Sequence, residues 1–303
     1  MNAETNILAE LADIINLSAR VEGINQSPVS KVYCIKRSQP EMPSKMRWHT
    51  SLGIVAQGGM QIKLGSDYYK FEKAHYIATP IDLPVTGGVF SASYDKPYLC
   101  LRIDFDALTL HEVAVHLEDD LPRDTKNPLR AVFVGTAGDK MIEAAVRLGK
   151  LFQTPQDAPA LAPLIVKEIL YYLLKETDGA AIRQFVRLES KTHKISQAVY
   201  QLRNELNVDV DVTALAKAAN MSRAAFFKQF KEVTAMSPIQ YQKRFRLLEA
   251  RRLMISENET AEGSAFKVGY NSASQFSREY SRMFGKSPLQ DVMKIKENHN
   301  SAC

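Results

Sequence analysis

Cysteine and tryptophan are scarce in this 303-residue chain, which holds three of the first and one of the second. Cys34, Cys100 and Cys303 lie far apart and form neither a CxxC pair nor a metal-ligand spacing. That spacing argues against a disulfide framework and a thiolate zinc site. The thiols read as buried or incidental groups in a reducing compartment, with a redox or electrophile sensor at Cys34 or Cys100 as the other reading. Cys303, on a polar tail, is expected to be inert. No run of about 18 apolar residues occurs, so no spanning helix is expected. The start, MNAETNILAELADII, is acidic and has no basic leader, so the expected location is the cytoplasm rather than a secretory route. The sequence also lacks a nucleophile elbow, a phosphate-binding glycine loop and a dinucleotide glycine fingerprint. His49 and His75 are the only histidines of the β-rich region, and no HxH pattern with a following carboxylate joins them, where a metal needs three or four clustered ligands. His111 and His116, beside Glu112 and Glu118, read as a solvated face. No catalytic residue, cofactor or metal is therefore expected.

What is present is ordinary globular composition, 45% hydrophobic and 24% charged, enough for two or three domains with real cores. The charge is unevenly placed. Residues 212–296 carry 15 Lys/Arg against 7 Asp/Glu, whereas residues 1–211 carry 24 against 26. A basic end joined to a near-neutral one suits a polyanion binder with a separate regulatory or assembly domain.

Helical spacing marks residues 5–20. Between 28 and 105, short β-rich runs such as VSKVYCIKR, SLGIVAQGG and GGVFSASYDKPYLCLRIDF are broken by Pro, Gly and Asp at close intervals, as in a small barrel or double-sheet sandwich of six or more strands. Turns are expected at Gly58–Gly59 and at Gly65–Ser66–Asp67. A barrel pocket for a small molecule would draw on Trp48, Tyr68, Tyr69, Phe71, Tyr76, Phe90 and Tyr94, residues that core and strand-pair contacts explain as well. From about Gly138 the pattern is helical. Residues 161–176 place Leu161, Leu164, Ile165, Ile169, Tyr172 and Leu173 on one broad apolar face that needs covering, by its own domain or by a second subunit. Residues 180–206 add one long or two shorter helices.

The basic end repeats one plan. VTALAKAA forms a short helix with Leu215 and Ala219 inward, Asn220–Met221 turns, and Ser222 caps RAAFFKQFKEV, which buries Phe226 and Phe230. At 260–284, TAEGSAFKVG ends at Gly269, Tyr270–Asn271 turns, and Ser272 caps ASQFSREYSRMF, which buries Phe276 and Tyr280. A helix, a tight turn and a second amphipathic helix is the geometry that lays the second helix in a major groove. Arg223, Ala224, Phe227, Lys228 and Lys231 face outward in the first unit; Ser274, Gln275, Ser277, Arg278 and Arg282 do so in the second. Arg278 suits a bidentate contact to guanine, and Gln275 or Ser274 a contact to adenine or phosphate. Between the units, PIQYQKRFRLLEARRLMI starts at Pro238 and carries Tyr241, Phe245, Leu248 and Leu253 as an apolar stripe. Lys243, Arg244, Arg246, Arg251 and Arg252 spread over its other faces, and Lys243 is a candidate phosphate contact. A single rigid helix there fixes the separation of the two reading helices.

KVGYNSASQFSREYSRMFGKSPLQ at 267–290, with the endings MSPIQY at 236–241 and KSPLQDV at 286–292, closely resembles the signature of AraC/XylS-type transcriptional regulators, and the resemblance covers roughly residues 195–296. Residues 8–180 resemble the distinct N-terminal domain of one subgroup, most clearly in SLGIVAQGGMQIKLGSDYYKFEKAHYIATPIDLPVTGGV. The resemblance implies an α+β protein. Residues 1–180 would form a cupin-like β-barrel with a helical extension for effector binding or dimerisation, 181–194 a linker helix, and 195–297 an all-α domain with two helix-turn-helix units. It implies that positions 223, 224, 227 and 228, and 273, 274, 277 and 278, face DNA. Ala224 and Ala273 depart from relatives that carry longer side chains there, and small side chains reach only thymine methyls. Gly263 stands where relatives favour a helix former, at a cost of around 1 kcal/mol relative to Ala. The expected function is a sequence-specific, effector-responsive regulator at promoter DNA. RNA polymerase and a small-molecule effector stand as further partners, monomer and homodimer are both compatible, and no membrane is involved. The other readings are a nonspecific DNA-binding protein and a barrel enzyme tethered to DNA.

Overall fold

The computed structural model describes residues 3–120, 130–188 and 190–300, so Cys303 falls outside the described residues. Helix α1 (Ala3–Ser18) precedes ten strands. A six-stranded antiparallel sheet runs in the order β1 (Gly23–Gln26), β2 (Val32–Arg37), β9 (Tyr98–Asp104), β4 (Ser51–Gln57), β7 (His75–Thr79) and β10 (Phe133–Thr136). A four-stranded one runs β3 (Ser44–Trp48), β8 (Leu83–Ser91), β5 (Gly59–Leu64) and β6 (Asp67–Glu72). Sequence neighbours pair as hairpins only in part. Strand β9 inserts between β2 and β4, closing contacts between residues about 40 to 70 apart in sequence.

The β4 run SLGIVAQ is buried at six consecutive positions, with no polar alternation. Its two faces explain this. One meets the facing sheet, and the other lies under α1, which buries Leu8, Leu11 and Ile15 against β2, β4 and β9. After a bulge between Val55 and Gln57, Gly58 adopts φ +75° and carries the chain into the second sheet. A Cβ at Gly58 would lie 2.6 Å from the Ser91 carbonyl oxygen, so the corner requires glycine.

Helices α2 (Ala107–Ala114), α3 (Asp139–Lys150), α4 (Ala158–Lys175) and α5 (Gly179–Arg183) follow, with a 3₁₀ stretch at Val115–Asp120. Helix α4 packs on α2 and α3. Its buried stripe is Ala158, Ala162, Ile169, Leu170, Leu173 and Leu174. Leu161 and Leu164, expected on the covered face, are 45% and 64% exposed instead. Pairing with α2 and α3 selects a stripe rotated from the one hydrophobicity alone suggests.

The remaining helices are α6 (Lys191–Asn204), α7 (Val212–Ala218), α8 (Arg223–Thr234), α9 (Pro238–Ser256), α10 (Ala261–Lys267), α11 (Ala273–Phe284) and α12 (Pro288–Asn300). Helix α6 packs on α8 and α9. The 180–206 region thus holds two helices, and the second joins the basic helical body. On α9 the buried leucines are Leu247 and Leu253, with Leu248 half-buried. One continuous apolar core runs from α1 through the strands to Phe245; a second, smaller core gathers Leu247, Met254, Val268, Tyr270, Phe276, Tyr280 and neighbours. The first helix-turn-helix unit therefore shares its core with the barrel, and the second has its own.

Candidate nucleic-acid interface

Each unit is built by local chemistry that the sequence carries openly. Asp211 caps α7 by accepting from the Thr213 and Ala214 amides, and Asn220 turns the chain at φ +53°. Ser222 accepts from the Ala225 amide at 3.2 Å and starts α8. Phe226 and Phe230 are fully buried and in ring contact; Phe230 meets Tyr241 edge-on at 5.6 Å, and the Tyr241 ring meets Phe245. In the second unit, Thr260 caps α10, Gly269 turns at φ +88°, and Ser272 accepts from the Gln275 amide at 3.3 Å. Phe276 and Tyr280 are fully buried. A capping box of Ser237 and Gln240, with Pro238 in the first turn, starts α9.

Burying the aromatic stripe turns the other face of each helix outward. On α8, Arg223, Ala224, Phe227, Lys228 and Lys231 are exposed. On α11, Ser274, Gln275, Arg278 and Arg282 are exposed, while Ala273 and Ser277 are half-buried. Arg278 Nε donates to the Ser274 carbonyl one turn back at 3.3 Å, which lays the guanidinium along its own helix. Lys243 sits elsewhere. Its Nζ pairs with Glu279 at 2.6 Å, bridging α9 and α11 beside the barrel.

Joining α8 to α11, α9 has 19 residues and so spans about 28 Å, close to the ~34 Å of one DNA turn. Its cations are mostly committed to structure. Arg246 donates to the Leu206 carbonyl at 2.5 Å and pairs with Asp209, and Arg251 pairs with Asp291 at 2.8 Å. Arg252 pairs with Glu249 and Glu257.

Sequence reading missed the contact between the barrel and these helices. Arg130 Nε donates to Asp67 at 2.7 Å, and its Nη1 donates to the Lys231 carbonyl at 2.9 Å, at the C-terminal end of α8. Asp82, 3% exposed, accepts from Arg47 and Thr50 of the barrel and pairs with Arg203 of α6 at 3.0 Å; its carbonyl accepts from the Tyr241 hydroxyl at 2.7 Å. Burial pushes the Asp82 carboxyl up, but Arg47, Arg203 and the Thr50 amide outweigh it and hold the group below its ordinary value.

Between the β3–β8 edge and α9–α11 lies a cleft of about 320 Å³. Lys45, Lys243, Arg244 and Arg282 supply its charge, Glu279 opposes them, and Pro84, Val85, Leu247 and Met283 supply apolar wall. Burial, then the Arg244 and Lys63 cations, pull the Lys45 ammonium below its ordinary value, and burial lowers Arg244 in the same direction. Nothing in the local pattern around Lys45 signals this role, because its partners come from residues 84–86 and 240–283. A larger hollow of about 590 Å³ between α2 and α4 contains Lys167, already paired with Glu112 at 2.8 Å.

The barrel aromatics do not assemble one pocket. Phe71 and Tyr76 are fully buried, Trp48 meets Phe71 edge-on at 5.9 Å, and Tyr68 and Tyr94 are 66% and 75% exposed. Side-chain alternation sends them to opposite faces, so they serve core and surface separately. Cys34 and Cys100 are buried on adjacent strands, and burial first of all pushes their thiols up, to about 12 and about 11. A thiol so protonated is a poor redox sensor. Among the described residues, no three His, Cys, Asp or Glu side chains gather as a metal site, and no helix is long and apolar enough to cross a membrane.

Residues 28–181 match the AraC-type transcriptional regulator N-terminus, and residues 215–291 match a helix-turn-helix domain. The first match alone spans half of the chain. The chain belongs to the AraC-type transcriptional regulators. The regulator is 28% identical over 135 residues to the HTH-type transcriptional activator RhaS of Salmonella paratyphi B, covering 44% of this chain and 46% of that protein. It thus spans about half the length of the curated relatives it matches. In fold it is similar to an apo form of ToxT from Vibrio cholerae, with a TM-score of 0.61 at 12% identity over 88% of this chain and 99% of the other. A crystal structure of ToxT with a bound unsaturated fatty acid gives a TM-score of 0.60 at 13% identity, over 86% and 93% of the two chains.

Proposed function

We propose that this regulator is a sequence-specific DNA-binding protein acting at promoters, and that it answers to an anionic effector with an apolar body. The observation that carries the first half is the pair of capped helices, α8 and α11, whose outward faces expose Arg223, Lys228, Gln275 and Arg278 to solvent. Arg223, Ala224, Phe227 and Lys228 meet one major-groove segment; Ala273, Ser274, Gln275, Ser277 and Arg278 meet the next. Arg278 has the fork that reads guanine, and Gln275 the paired donor and acceptor that read adenine. Ala224 and Ala273 contribute closeness rather than hydrogen bonds. Lys243 serves the cleft rather than a phosphate.

The cleft supports the second half. It joins cations from both domains to an apolar wall, so a carboxylate with a hydrocarbon body suits it, and such a ligand would touch barrel and helices together. The fatty acid in the structure of ToxT belongs to that chemical class, and the cleft's own residues favour it independently.

Selection of bound duplexes from a random pool tests the reading. The wild-type chain is expected to enrich a consensus, and R278A to lose preference at one G·C pair by about tenfold. Equal enrichment of all sequences would leave a nonspecific binder. For the effector, oleate is expected to raise the melting temperature of the full chain, and the K45M/R244M variant to lose most of that rise. An equal rise in both proteins would sink the cleft as the site.

A further inference from the structure

Glu279 stands where the cleft and the second reading helix meet. Its side chain is 13% exposed. Oε1 pairs with Lys243 Nζ at 2.6 Å and accepts from Gln275 Nε2 in a long contact of 3.4 Å; Oε2 accepts from the Tyr270 hydroxyl at 2.8 Å. Burial pushes the carboxyl up, and these three donors more than reverse it, so the group is held below its ordinary value and stays ionised.

We propose that Glu279 is a positioning residue that sets the base preference of Gln275 and, through Lys243, makes that preference sensitive to an anion in the cleft. The inference rests on the reading that α11 contacts base edges. A carboxylate accepts and never donates, so it can face only the NH₂ end of the Gln275 amide. That fixes the amide's flip. One N–H is engaged by Glu279, and the second N–H and the carbonyl stay free as a donor–acceptor pair. Adenine needs that pair in one order, and preorganising it removes a cost of binding. Tyr270 holds the other carboxylate oxygen, so the carboxylate cannot rotate away from the amide without losing a part-buried hydrogen bond.

Lys243 supplies the connection. Its ammonium lies on the cleft wall with Lys45, Arg244 and Arg282 and is also the cation that neutralises Glu279. An anion in the cleft competes for that ammonium and sets a second negative charge near Glu279. The carboxylate then keeps Tyr270 but loses Lys243, one of the two contacts that fix its orientation, and the direction in which it holds the Gln275 amide is no longer set. Linkage makes the effect reciprocal, so a duplex carrying the preferred base should weaken binding of the anion by the same factor.

The test uses the full chain as wild type, E279Q, K243M, Q275A and E279Q/Q275A, each selecting duplexes from a random pool at fixed salt, with and without oleate. E279Q keeps shape but can donate as well as accept, so it no longer fixes the flip. Q275A is expected to lose about tenfold preference at one base pair. E279Q and K243M should lose several-fold at that same pair and keep the rest of the consensus, and the double variant should resemble Q275A. Oleate should relax that pair in the wild type and change nothing there in E279Q. Melting temperatures separate unfolding from altered reading. A wild type that enriches no consensus defeats the DNA reading and the inference together. A consensus that Q275A leaves intact, or that E279Q keeps or weakens equally at every position, overturns the inference alone. A wild-type profile indifferent to oleate overturns the relay through Lys243.

Discussion

His49 lies at the turn between β3 and β4, among charges from several elements. Burial first, then Arg47 of β3, Arg102 of β9 and Arg203 of α6, lower its imidazole to about 4, against an opposing pull from Asp82. The folded chain therefore keeps His49 neutral where the unfolded chain protonates it. Between pH 6.5 and about 4 the unfolded state binds more protons, so this residue makes stability fall as pH falls through that window and contributes nothing to pH dependence above it. The loss is on the order of 3 kcal/mol at the acid end. Urea midpoints at pH 7.0 and 4.5 are expected to lie farther apart in the wild type than in H49Q; equal separation would remove His49 as the cause. Gly263 is a second case where a single residue needs the structure. Sequence reasoning assigns it a cost of about 1 kcal/mol relative to Ala. In the fold, a Cβ there would lie 2.9 Å from Oγ1 of Thr260, the cap that accepts the Gly263 amide, and 2.5 Å from a Glu259 carboxylate oxygen. G263A is accordingly expected to leave the melting temperature unchanged or lower it, and a rise of several degrees would show that the cap yields freely.

Helices are where sequence and structure agree best, because their signals are local. Ser222 and Ser272 cap where hydroxyl and spacing indicate, and Phe226, Phe230, Phe276 and Tyr280 all fall on the buried faces. The outward residues of α8 and α11 follow from the same periodicity. Strand order, the choice of buried stripe on α4 and the cleft depend on residues distant in sequence, and no window of ten or twenty residues contains them. The C-cap of α8 joins both levels. Ala235 and Gly285 end α8 and α11 in the same left-handed conformation, at φ 62° and 78°. Glycine adopts it freely, and alanine bears a cost. Ala235 meets the β5–β6 hairpin, since a Cβ on Gly65 would lie 2.7 Å from its own Cβ. G65A also forces φ +63° on an alanine, so a loss of about 1–2 kcal/mol is expected. Adding A235G removes the clash and should recover part of it. A double-variant cycle with no coupling in urea denaturation would show that hairpin and helix do not bear on one another.

At the scale of the whole molecule, the two helix-turn-helix units are held differently. The first shares a continuous core with the barrel and is tied to it by Arg130, and the second keeps a core of its own. The second unit meets the barrel through Arg251, whose Nη1 donates to the Lys45 carbonyl at 3.4 Å, and across the cleft. Asp82 is the centre of the barrel's attachment to the helices, with Arg47 and Thr50 on one side and Arg203 and Tyr241 on the other. D82N keeps the shape and removes the charge. It leaves two arginines facing a neutral amide, and breaking a buried pair in this way costs about 3 kcal/mol; the partial exposure of Arg203, at 36%, places the loss toward the lower end of such cases. The loss should fall on the join between the bodies rather than on either core. Trp48 is the one tryptophan of the chain and lies in β3, so its fluorescence follows the barrel, while ellipticity at 222 nm is dominated by the helices. In the wild type the two signals are expected to change together along a urea titration. In D82N they should separate, because the shared charge network no longer makes one body's unfolding expose the other's. Coincident transitions in D82N, shifted to lower urea, would assign cooperativity to the continuous apolar core and reduce Asp82 to one stabilising contact within it.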